Sequence, residues 1–106
     1  MSTLFHTEGV HGLLLELIER LAELPDDATL YAARPWSPDS DAVVAIEGPS
    51  GEPPTDLPYL LEVELARGAV DVWSEWREGR QPTVVEACAA VIHYATHDAY
   101  MPVADT

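Results

Sequence analysis

The chain has no lysine. Its permanent cations are five arginines, set against nineteen aspartates and glutamates, for a formal net charge of -14. A field of that sign repels nucleic acid and anionic membrane and draws basic partners from a distance. Acidity also serves solubility, or life in a saline cytoplasm, so charge alone names no partner. Cysteine is scarce as well. The single thiol, Cys88, excludes an internal disulfide and fits a reducing compartment, so a cytoplasmic location is the expectation. No run of about 18 apolar residues is present to span a bilayer. The opening M-S-T-L-F-H-T-E lacks the basic region of a secretory leader. Phosphate-binding loops, G-x-G-x-x-G, H-E-x-x-H and a Gly-flanked serine elbow are all missing, which argues against an enzyme and against a bound cofactor.

What is there is apolar enough to fold: 47% of the 106 residues are hydrophobic. That suits one domain over residues 1–106. The clearest element is Pro82–His97. Thr83 followed by Glu86 has capping-box spacing, and Val84, Val85, Cys88, Val91, Ile92 and Ala95 recur at helical intervals. A central helix is expected, with that stripe inward and Ala87, Ala89 and Ala90 on its flanks.

Upstream, Val10, Leu13, Leu14, Leu17, Ile18, Leu21 and Leu24 predict an amphipathic helix over Gly9–Leu24, with Thr7 as its cap and Pro25-Asp26-Asp27 as its stop. Ala28–Arg34 and Ala42–Glu47 have strand composition, and Pro35–Asp41 between them is a turn-rich loop. Gly48–Pro58 is loop. Tyr59–Leu65 alternates as a third strand, with Leu61, Val63 and Leu65 inward and Glu62 and Glu64 outward. A helical stripe of Leu65, Ala69, Val72, Trp73 and Trp76 follows, ended by Gly79 and Pro82. The expected fold is therefore α+β: a three-stranded antiparallel meander packed by about three helices in the order α-β-β-β-α-α, its other face open and acidic.

Two constellations invite chemistry. His93 and His97 lie four apart beside Asp98, the spacing of helical zinc ligands. No third ligand is spaced to join them, and histidine also suits a helix C-terminus for its charge, so no metal is expected. Cys88 sits among apolar neighbours, where a thiol is inert. The binding candidates are Trp36, Asp39, Asp41, Glu47, Glu52, Asp56, Glu62 and Glu64. Strand alternation and loop position gather them into one acidic patch around an aromatic anchor, suited to a basic protein partner.

Four segments together resemble an uncharacterised family of small acidic bacterial domains: Leu24–Tyr31 (L-P-D-D-A-T-L-Y), Pro35-Trp36, Tyr59–Val63 (Y-L-L-E-V) and His97–Tyr100 (H-D-A-Y). The match spans most of the chain. His97 stands where the family pattern N-D-A-F/Y has asparagine. Such domains are similar to the immunity proteins that accompany bacterial toxins, and the resemblance implies a binding role without catalytic residues. The expectation is thus an immunity or inhibitor protein that neutralises a basic effector such as a toxin, with no direct nucleic-acid or membrane contact and an open oligomeric state. A DNA mimic that inhibits a nucleic-acid-binding protein is the alternative. A small metal-dependent enzyme built on His93 and His97 is a third reading.

Overall fold

The computed structural model describes residues 10–46 and 55–102. In chain order it contains β1 (Val10–Leu13), α1 (Leu14–Glu19), a 3-10 turn (Leu21–Glu23), β2 (Thr29–Ala32), β3 (Asp41–Ala45), β4 (Tyr59–Glu62), α2 (Val63–Glu75) and α3 (Val84–His97). The α+β class and the antiparallel sheet are as expected, but the sheet has four strands in the order β1-β3-β2-β4.

The additional strand comes from the segment expected to open a helix. Val10–Leu13 pairs antiparallel with Asp41–Ala45, Val10 facing Val44 and Leu13 facing Asp41. Only Leu14–Glu19 is α-helical. Gly12 marks the junction: a Cβ there would stand 2.9 Å from the Glu16 carboxylate. That carboxylate accepts the Leu13 N–H at 2.9 Å. The next two amides, of Leu14 and Leu15, donate to the carbonyls of Ser40 and Pro38 at 2.8 and 2.9 Å. The first turn of α1 is thus satisfied by the β2–β3 loop, as buried helix starts require. The expected cap, Thr7, lies outside the described residues.

With β1 on the outer edge of β3, the meander is not formed. β4 instead pairs with β2, Leu30 facing Leu61 and Thr29 facing Glu62. It is also shorter than expected. The Val63 N–H donates to the Ala28 carbonyl at 3.0 Å, and helix α2 begins at that residue. The inward face of α2 is therefore Val63, Ala66, Ala69 and Trp73. Leu65 and Trp76, expected inward, are 41% and 49% exposed. Starting the helix two residues earlier moves the buried row off the 65–76 spacing.

Leu30, Ala32, Ala42, Val44 and Leu61 join α1, α2 and α3 in the main core. The opposite sheet face, expected open, is closed. Thr29, Tyr31, Val43 and Ala45 alternate with the core row and none exceeds 6% exposure. These strands read as apolar runs because both of their faces are buried.

Helix α3 carries the predicted cap. Glu86 N–H donates to Thr83 Oγ1 at 3.1 Å, and Thr83 N–H to Glu86 Oε1 at 2.9 Å. Its buried row is Ala87, Cys88, Ala90 and Val91. Val85, expected inward, points out, and Ile92 is half-buried. The small side chains are the ones other elements close upon.

Arg67 fastens α2 to the 3-10 turn. Its guanidinium donates to the carbonyls of Leu21 and Leu24 and pairs with Asp26. Asp26 is exposed, and such pairs are worth under about 1 kcal/mol. The carbonyl bonds carry more, since a charged donor contributes about 1.5–3 kcal/mol. Arg67→Ala is accordingly expected to lower the unfolding free energy by about 1–3 kcal/mol, and Asp26→Asn by less than about 1 kcal/mol. Urea unfolding of both variants checks this; equal losses would place the strength in the ion pair instead.

Candidate functional site

Those of the eight binding candidates that are described do not line one cleft. Glu47 and Glu52 lie outside the described residues. Asp41 and Asp56 border a cleft of about 630 Å³ at the β1–β3 side, with His11, Leu13 and Glu16. Glu62 and Glu64 border another, of about 560 Å³, with Asp26, Asp27 and Tyr59. The two clefts sit toward opposite ends of the strands: Asp41 opens β3 beside the end of β1, whereas Glu62 closes β4 beside the start of β2.

Trp36 belongs to neither. Its indole N–H donates to the Ala32 carbonyl at 3.0 Å, and its ring packs on the core and borders a groove beside α3. The Arg34 guanidinium covers the ring at 4.7 Å from its centroid. Asp39 stays in the exposed turn, its N–H donating to Ser37 Oγ at 3.2 Å. The Trp36 ring is thus folded back on its own domain and borders neither acidic cleft.

The Glu62–Glu64 cleft has a structural cause. The Val63 N–H bond to Ala28 pulls the Pro25–Asp27 turn against the first turn of α2. Asp26 and Asp27 then face Glu62 and Glu64 across the cleft. Glu62 occupies the N-cap of α2 without a side-chain capping bond, and Glu64 sits in the first turn, where the helix dipole favours negative charge. Among the described residues only two ion pairs form, Arg67–Asp26 and Arg80–Glu86. Half-exposed Tyr59 provides an aromatic wall beside the carboxylates. Asp26, Asp27 and Tyr59 were missing from the candidates drawn from sequence. The D-D pair has the composition of a turn, and only the β2–β4 register brings it to Glu62.

Most arginines face their own chain. Arg77 and Arg80 both lie over the ring of buried Trp73, at 4.2 and 4.7 Å from its centroid. Arg77 also donates to the Pro102 carbonyl at 3.0 Å, holding the C-terminal stretch. Arg80 bonds both carboxylate oxygens of Glu86 at 3.3 Å. The Thr83 N–H, followed by that guanidinium, holds the Glu86 carboxyl below the usual glutamate range.

The His93 and His97 rings are 4.4 Å apart between centroids and tilted by 45°. Among the described residues no three His, Cys, Asp or Glu side chains are grouped as a metal ion requires. Desolvation, with the neighbouring His97 second, lowers the His93 pKa. No helix among the described residues is long and apolar enough to cross a membrane. Comparison with protein-family models, curated proteins and solved structures gives no match to this chain.

Cys88 is fully buried, and desolvation pushes its thiol up to about 11. It should resist thiol reagents until the protein unfolds. Because the folded pKa is raised, the unfolded chain loses its thiol proton first. Stability is then fully present below the unfolded value of about 8.5 and falls as pH rises towards about 11. Cys88→Ala is expected to flatten that alkaline decline while costing about 1–2 kcal/mol at neutral pH, a loss of apolar burial. Rapid labelling of the native protein would contradict this placement.

Proposed function

We propose that the protein acts by binding, as an immunity or inhibitor protein that docks a basic effector of toxin type. The observation that supports this most is the division of its charges. Four of five arginines are occupied within the chain, on Trp36, on Trp73 or on backbone carbonyls. The carboxylates of Asp27, Glu62 and Glu64 meanwhile line an open cleft. A cleft bordered by one sign of charge concentrates the opposite sign and speeds encounter by about 10–10³-fold. The cleft with Asp26, Asp27, Glu62, Glu64 and Tyr59 is the place we assign to an arginine- or lysine-bearing segment of the partner. Asp41 and Asp56 extend the field at the far end of the sheet. The resemblance of the L-P-D-D, P-W and H-D-A-Y segments to a family of small acidic bacterial domains, themselves similar to immunity proteins, supports the same role.

Affinity capture from the native host, followed by binding kinetics at two salt concentrations, tests this. The double change Glu62→Lys and Glu64→Lys is expected to slow association at low salt by about tenfold or more and to flatten its salt dependence. Folding should be nearly intact, since exposed substitutions usually shift stability by about 0.5 kcal/mol or less. A partner that binds through a groove evolved for DNA points to mimicry instead of immunity. Unchanged kinetics would remove the cleft from the interface.

A further inference from the structure

Resting on the reading of a basic partner above, we infer that the docking surface continues from the acidic cleft along the outer face of α2. Its occupant is an amphipathic helix of that partner. Two rows of side chains carry this. At about 100° per residue, Glu64, Asp71 and Glu75 fall within about 40° of one another around the helix, and all three are exposed. Leu65, Val72 and Trp76 fill a second sector of about 40° beside the first. Leu65 and Trp76 are exposed, and Val72 between them is half-buried. Tyr100 widens the far end of the apolar row, its ring at 79° to that of Trp76 and 6.0 Å away between centroids. Gly68 lies between the rows, where a Cβ would meet nothing within 4 Å. With no side chain there, a partner can approach the helix backbone closely.

The occupant follows from charge and spacing. A carboxylate row alone is a solvated helix face, and an apolar row alone is the shoulder of a buried one. Side by side they fit a segment whose cations lie next to apolar side chains. The apolar positions are seven and then four residues apart, the repeat by which two helices pack along a seam while charges beside the seam select the partner. A helix is the occupant whose own side chains recur at that spacing. Among the described residues none of the three carboxylates is ion-paired. Arg67 and Arg77 donate instead to backbone carbonyls. Glu64 also borders the acidic cleft, so the strip, about 18 Å long from Glu64 to Trp76, is continuous with it.

The probe is a synthetic peptide of about 18 residues, long enough to lie along the strip as a helix, with leucine at the seam positions and lysine beside them. A second peptide of equal charge has serine in place of every leucine. Each is titrated into the full isotope-labelled chain and followed by nuclear magnetic resonance. The leucine peptide is expected to bind about tenfold tighter or more, and to shift the Trp76 indole N–H and the Leu65 and Val72 amides. Trp76→Ala and, separately, Leu65→Ser should each weaken the leucine peptide about fivefold or more and leave the serine peptide unchanged. Both positions are exposed, and circular dichroism should show both variants folded. Equal affinity of the two peptides, with shifts confined to Asp27, Tyr59 and Glu62, overturns the inference and leaves the cleft as the place that takes cations. Shifts centred on α3 overturn it too, as does a leucine peptide that binds equally well after both changes. If neither peptide binds, the inference falls together with the cleft assignment on which it rests.

Discussion

Cations are the scarce resource in this chain, and where the five arginines go shapes both fold and surface. Arg67 ties the 3-10 turn to α2 through two carbonyls. Arg77 and Arg80 lie over Trp73 at the end of α2, and Arg80 reaches on to Glu86 at the start of α3. These joints lie where consecutive helices must turn and pack. The strength comes less from ion pairing, which is weak at a surface, than from charged donors on carbonyls and guanidinium planes on indole. Once the arginines are committed there, the outward carboxylates stand largely uncompensated.

The surface that results has two characters. At one end of the sheet, the turn before β2 and the first turn of α2 bring Asp26, Asp27, Glu62 and Glu64 together. Across the molecule's helical side, the outward row of α3 presents Val85, Ala89 and Ile92 beside Trp36 with no carboxylate among them. One surface attracts basic groups over many ångströms. The other offers only short-range apolar contact.

Much of the fold was legible where local chemistry decides it. The Thr83–Glu86 cap needs only a three-residue spacing, and α3 begins where that spacing says. Strands β2 and β3 announce themselves by composition. The N-terminal segment was not legible, because Val10, Leu13, Leu14 and Leu17 satisfy helical spacing even though the first two belong to a strand. What overrides the helix is the free edge of β3, a tertiary fact. The same holds at β4. L-E-V-E-L alternates on paper, yet the Ala28 carbonyl captures Val63 N–H and the helix starts inside the pattern. The site suffered accordingly. Glu62 and Glu64 were found as exposed acids, but their companions were not, since Asp26 and Asp27 lie 36 residues or so upstream and meet them only through strand pairing. A Pro-flanked tryptophan in an acidic loop gives no local sign that its indole N–H folds back to Ala32.

Hydrogen exchange on the complex with the captured partner tests the central claim most directly, because it reports where the partner sits. The amides of Asp26–Thr29 and of Tyr59–Leu65, the two segments that wall the acidic cleft, should exchange more slowly in the complex than in the free protein. Those of Ala89–Thr96 on α3 should keep the rates they have without partner. Protection confined to α3, with the cleft segments unchanged, would contradict the assignment of the acidic cleft as the place where the partner binds.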